Sequence, residues 1–143
     1  MFTVSASATP LSYAITCCVR SASRAAGSLG WGLPAALEAA AKHFYNAVLG
    51  LEEIPKPAGT RQNLGAWYQL NGLQLHLSIE DNVQNETSDA HVCYQVADIG
   101  LANQAFRDAG VSIIPDPRPV AGQSRFFVRD PGGNLIEITR KTD

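Results

Sequence analysis

Apolar residues recur at two distinct periods along this chain, and the periods change in a fixed order. Leu37, Ala40, Ala41, Phe44, Tyr45 and Leu49 follow helical spacing, with Pro34 near the start and Gly50 as a stop. Leu51–Ile54 reads as a short strand ended by Pro55 and Pro57. Ala66–Leu70 and Leu73–Ile79 read as strands joined through Asn71-Gly72, a strong hairpin signal. A polar loop, Glu80–Ala90, follows. The order then repeats. His91–Val96 predicts a strand, and Asp98 caps a helix running to about Asp108 with Gly110 as its stop. Val111–Pro115, Ser124–Asp130 and Asn134–Arg140 predict three further strands, the last two turned by Asp130-Pro131-Gly132-Gly133.

Set side by side, the halves form an internal repeat. Ile54-Pro55-Lys56-Pro57 answers Ile114-Pro115-Asp116-Pro117, and Asn71–Ser78 answers Gly132–Thr139. Each unit is β-α-β-β-β, so the expected fold is α+β with two tandem βαβββ modules, at about 34–80 and 91–140. Residues 34–143 form the domain, and 1–33 are an atypical N-terminal segment. In the first module the initial strand is atypical or missing.

Charge sharpens that division. Of the 11 Lys and Arg residues only Arg20 and Arg24 fall in the first 33 positions, while all 13 Asp and Glu residues lie beyond them. The segment is rich in Ser, Ala and Gly. Three readings stand open: an organellar transit peptide, an aberrant start, or an edge strand in Ser12–Val19 followed by a loose loop. A chain of 143 residues with a net charge of −2 is one domain and does not suit phosphate-driven nucleic-acid binding. No apolar run reaches the ~20 residues of a membrane span. Three cysteines, two of them adjacent at Cys17 and Cys18, make no disulfide framework and fit a reducing, cytoplasmic setting; a transit peptide would make it organellar.

The repeat also places candidate chemistry. His76 and Glu137 occupy the same position in the last strand of their units. Strand side chains alternate faces, so Leu75 and Leu77, and likewise Ile136 and Ile138, point under the helices. His76 and Glu137 then face a concave side, and His91, at the start of the second unit, can share it. Two imidazoles and a carboxylate suit a divalent transition metal and leave positions open for substrate. Taken singly, each has an ordinary reading: a hydrogen-bonded strand histidine, a solvent-facing strand carboxylate. His43 reads as a surface residue. Cys93 reads as a small buried side chain. Counting back from Phe44 by the interval between His91 and Phe106 reaches Leu29, flanked by Ser28 and Gly30, where no ligand residue stands.

Several segments resemble the vicinal oxygen chelate superfamily of glyoxalases, bleomycin resistance proteins and extradiol dioxygenases. Phe44–Leu51 resembles its helix-end signature. Gly65-Ala66-Trp67, Leu75-His76-Leu77 and Ala90-His91-Val92 are similar to its bacterial glyoxalase-like members, and Phe127–Glu137 is the strongest match. The likeness covers about residues 34–140. It implies paired modules around a U-shaped cleft, a divalent metal (Ni, Zn, Co, Mn or Fe), a small-molecule substrate and a homodimer, with no nucleic acid and no membrane. By position, it implies His76, His91 and Glu137 as metal ligands, with Ser28 or Leu29 where a fourth belongs. It points to a glyoxalase-like lyase or isomerase working by metal-assisted proton transfer, with Glu137 also as general base. Arg125 and Arg129 border the last hairpin as candidates for attracting an anionic substrate, and Trp67 as a wall of the cleft. The alternatives are a metal-free, bleomycin-resistance-like binding protein and an extradiol-type dioxygenase.

Overall fold

A computed structural model describes residues 15–17, 28–70 and 72–140. Nine strands and two helices are present among them: β1 (Ile15–Cys17), β2 (Ser28–Leu33), α1 (Glu38–His43), β3 (Glu52–Ile54), β4 (Ala66–Leu70), β5 (Leu73–Ile79), β6 (His91–Val96), α2 (Ile99–Asp108), β7 (Ile114–Pro115), β8 (Arg125–Arg129) and β9 (Leu135–Arg140). They form two mixed sheets, ordered β2-β5-β4-β3 and β1-β6-β9-β8-β7. Without β1 the two orders are the same. In each, the first strand of a module runs parallel to its last, and the other neighbours are antiparallel. The tandem βαβββ arrangement expected from the repeat is therefore the fold.

The first module does have an initial strand. Ser28–Leu33 takes that place, with Ser28 opposite Gln74 and Gly30 opposite His76. In the second module His91 lies opposite Leu135 and Cys93 opposite Glu137. Ser28 is thus the counterpart of His91, and Gly30 of Cys93. The expected edge strand in Ser12–Val19 meets a three-residue strand, β1, whose Ile15 lies opposite Val96. The remainder of that stretch, Arg20 and Arg24, and Asn71 of the first hairpin turn all lie outside the described residues.

Local chemistry sets the element ends. Asp98 is extended, and its carboxylate accepts from Leu101 N at 2.9 Å, capping α2. At the other end Gly110 has φ +75, and Val111 N and Gly110 N donate back to Phe106 O and Arg107 O. The first helix differs from expectation. After His43 it widens into a π turn over Phe44–Val48, closed by Leu49 N on Phe44 O at 2.9 Å. The extra residue in that turn brings Phe44, Tyr45 and Leu49 all into the core. The strand expected at Val111–Pro115 shrinks to Ile114–Pro115, the two residues that pair with Phe127 and Phe126, and Pro117 and Pro119 keep it from extending further.

One apolar core serves both modules. Phe44 and Phe106, at equivalent points of the two helical segments, stack with centroids 6.4 Å apart. Tyr45, fully buried, donates to Asp130 Oδ2 at 2.7 Å and so ties the first helical segment to the last hairpin turn. Burial, with the Asp130 charge beside it, pushes the Tyr45 hydroxyl well above its usual range, which keeps it a donor. Asp130 also accepts from Asn134 N and Nδ2, closing the turn. Asn85, in the loop between modules, donates to Gly32 O and Gly132 O at 2.7 and 3.0 Å. No described helix is long and apolar enough to cross a membrane.

Candidate functional site

The alternation along β9 divides its side chains as the sequence predicts. Ile136 and Ile138 are fully buried in the core. Glu137 points to the other face, yet is only 8% exposed, because its neighbours on that face crowd it. His91 Nε2 lies 3.1 Å from Glu137 Oε2. Arg125 Nη1 reaches the same oxygen at 3.5 Å. The Cys93 thiol approaches Oε1 at 3.7 Å. Phe127 meets the His91 ring edge-on at 5.6 Å. These groups come from β6, β8 and β9, which the parallel and antiparallel ladders hold side by side.

The orientation of His91 carries information. Its Nδ1 lies 2.8 Å from Asp89 O, an acceptor only, so Nδ1 is the donor. In a neutral ring that leaves a lone pair on Nε2, aimed at a carboxylate oxygen 3.1 Å away. Two lone pairs so placed need a proton or a cation between them. A ring held through its far nitrogen is also how metal-binding histidines are oriented.

The donor set fits half of a metal site. Two ligands about 2.1 Å from one ion stand roughly 3.0–3.5 Å apart at ordinary coordination angles, and the 3.1 Å separation of His91 Nε2 and Glu137 Oε2 falls in that range. A third donor is not assembled within one chain: among the described residues no three His, Cys, Asp or Glu side chains are grouped to hold a metal ion. His76 lies in the other sheet. It stacks on Trp67, its cross-strand neighbour, at 3.7 Å with planes 9° apart, and its Nε2 lies 3.1 Å from Gln74 Oε1. Burial lowers its imidazole below the usual histidine value, favouring the neutral ring that a metal ligand requires.

The remaining candidates separate by what they touch. Arg125 grips Asp116 through Nε at 2.7 Å and Nη2 at 3.2 Å, beside its longer contact with Glu137. The hydrogen bond from Arg125 holds the Asp116 carboxyl below its ordinary range. Arg129 instead donates to Asn85 O, Ser88 O and Gly133 O, and so pins the loop between modules. His43 is exposed at the end of α1. A cavity of about 220 Å³ lies on the seam between modules, lined by Gly30, Trp31, Gly32, Asn85 and Leu135 among others, but by neither His91 nor Glu137. Sequence reasoning missed Asp116. Its position between two prolines reads as a loop, and only the β7–β8 pairing brings it to Arg125.

Comparison with known proteins fixes the class. The sequence model of the Glyoxalase/Bleomycin resistance protein/Dioxygenase superfamily matches residues 38–138, and the chain belongs to that superfamily. A glyoxalase family protein from Bacillus anthracis is 30% identical, with a TM-score of 0.73, over 86% of this chain and 99% of that one. Lactoylglutathione lyase from Agrobacterium tumefaciens shares the fold at 22% identity and a TM-score of 0.58, over 78% of this chain and 91% of that one. A genomically encoded fosfomycin resistance protein from Listeria monocytogenes does so at 17% and 0.66, over 80% and 90%. No curated protein matches this chain.

Proposed function

We propose that the protein is a glyoxalase-like lyase or isomerase, working as a cytoplasmic homodimer. Its site takes a divalent metal (nickel, zinc, cobalt, manganese or iron) and a small substrate carrying two neighbouring oxygens. The observation that supports this reading is the His91–Glu137 pair, 3.1 Å apart, with the ring oriented through Nδ1 by Asp89 O. When bound, the cation would supply Lewis-acid polarisation of the two substrate oxygens. His91 and Glu137 would hold it, and His76, from the other sheet, would provide the third donor. Glu137 Oε1, the oxygen turned away from His91 and Arg125, would serve as the general base that takes a proton from the substrate carbon and returns it to the neighbouring atom. Phe127 beside His91, and Trp67 over His76, would be the apolar flanks of the site.

A metal-free binding module is the second reading, and two observations favour it. Ser28 occupies the counterpart of the His91 position, and Arg125 already offers Glu137 a positive charge. Elemental analysis of the gel-filtered full chain and of His91→Ala separates the two. The lyase reading expects near-stoichiometric metal in the first and at least a tenfold loss in the second. A full chain that retains no metal, even after reconstitution, would leave the binding module as the function.

A further inference from the structure

The first strands of the two modules differ at their outer edges. Along β6 that edge carries β1, added antiparallel, with Ile15 opposite Val96 and Cys17 opposite Tyr94. Along β2, its counterpart, no described strand is added. Successive residues of a strand turn their main-chain groups to opposite edges. Leu33 O accepts from Glu80 N, which directs Leu29, Trp31 and Leu33 towards β5. Gly30 and Gly32 therefore present theirs outwards. Asn85 Nδ2 takes Gly32 O at 2.7 Å, which leaves Gly32 N–H and both groups of Gly30 facing out. Both glycines line the cavity of about 220 Å³ on the seam. Space is open there, since a Cβ on Gly30 would meet nothing within 4 Å. At the Gly32 end stands the Glu80 carboxylate, whose Oε2 lies 2.7 Å from the place of a Gly32 Cβ. Among the described residues no cation or donor pairs with that carboxylate.

We propose that the outer edge of β2 receives the amino-terminal end of an extended peptide, added antiparallel, with its α-ammonium on Glu80. Direction and register follow from the groups on the edge. An antiparallel peptide sets its first residue opposite Gly32 and its third opposite Gly30. The first carbonyl accepts from Gly32 N–H. The third residue exchanges two bonds with Gly30, donating to its carbonyl and accepting from its N–H. The second residue turns its main-chain groups away, and its side chain lies on the Trp31 side of the sheet. The free amino group then falls where Asn85 closes the edge and Glu80 supplies the opposite charge. A parallel peptide would instead bring its carboxyl end against Glu80, like charge to like. The same mode of addition is already built at the equivalent edge, where β1 lies antiparallel on β6. Recognition of this kind draws affinity from main-chain bonds and specificity from alternate side chains. It uses neither His91 nor Glu137 and needs no metal.

The probe is the tripeptide Ala-Val-Ala with an amidated carboxyl end, titrated into the full-length protein and followed by the backbone amide NMR signals of Gly30 and Gly32. Both signals are expected to shift and to saturate at millimolar peptide. Acetylating the amino group of the peptide should weaken binding about fivefold, and so should Glu80→Gln with the free peptide. Combined, the two changes should cost no more than either alone. N-methylation of the third residue removes the donor to Gly30 O and should weaken binding at least tenfold. N-methylation of the second residue, whose N–H points away from β2, should leave it nearly unchanged. Equal effects at the two N-methyl positions would overturn the register, and an acetylated peptide that binds as well as the free one would overturn the role of Glu80. Gly30 and Gly32 signals that stay in place at tens of millimolar peptide would overturn the site. Signals that broaden when the protein alone is concentrated would give this edge to a second copy of the chain, and the peptide ligand would fall with them.

Discussion

The two modules share a backbone plan, and their equivalent positions carry opposite chemistry. In the first, His76 lies between Gly30 and Trp67 across the strands. In the second, Glu137 lies between Cys93 and Phe127. Two residues before Trp67 and Phe127, the first module has Gly65 and the second Arg125. At that position the first module's face is aromatic, with the His76 imidazole stacked on the Trp67 indole. The second module's face carries the charges of Asp116, Arg125 and Glu137 in a row, with the His91 ring beside Glu137. Repetition preserved the ladders, which depend on main-chain groups, while the outward positions were free to differ. The halves differ in kind: one presents an imidazole stacked on an indole, the other a carboxylate between an imidazole and a guanidinium.

The Gly65 and Arg125 positions offer the largest test of that contrast. Gly65 has φ +71, and a Cβ there would stand 2.1 Å from Leu77 O. Its amide also donates to Glu38 Oε1 at 2.9 Å. Gly65→Ala is expected to cost about 3 kcal/mol by chemical denaturation. A loss of under about 1 kcal/mol would mean that the strand start relaxes freely, and that the glycine is no backbone requirement. Next in size is the tie between modules. Tyr45→Phe removes a donor from the buried Asp130 carboxylate and is expected to cost about 2 kcal/mol. If the modules depend on that bond for their union, melting of the variant should also broaden; an unchanged melt would place the coupling in the aromatic stack alone.

The smallest expected effect is one of pH. Burial lowers the folded His76 below its unfolded value, so the unfolded chain binds the proton first as pH falls. Stability should be full above about pH 6.5 and decline as pH drops through that value towards the folded one. Thermal melts between about pH 7.5 and 5 should show the slope, and His76→Gln should flatten it. An unchanged slope in the variant would assign the titration elsewhere.

Much of this contrast is legible from residue order. Ala66–Leu70, Leu73–Ile79 and His91–Val96 alternate cleanly between core and face, and the strands observed there have those bounds. The Asp98 cap and Gly110 stop name their helix because side-chain capping and a left-handed residue are local signals. Ser28–Leu33 is less readable. Leu29, Trp31 and Leu33 alternate with Ser28, Gly30 and Gly32, but glycine is a poor strand former, and the strand exists through pairing with the distant Leu73–Ile79. The π turn depends on where Tyr45 finds Asp130, 85 residues away. In the site, matched repeat positions identify His76 and Glu137, and alternation adds His91. Sequence order did not tell that His76 stands apart from the His91–Glu137 pair, nor that Asp116 pairs with Arg125. Those are facts of tertiary pairing.

The stack of Phe44 on Phe106 has a consequence for inheritance. Each half keeps its principal aromatic dry by pressing it against the other half's copy. A single module cut from this gene would expose that ring, and would need a second molecule to cover it. Mutations that reshape one copy are therefore read by the other, and the two halves are held to a common ancestry of shape even as their outward residues drift apart. Recombination that swaps one half between paralogues should succeed only where both rings, and the tyrosine and aspartate beside them, travel as a matched set.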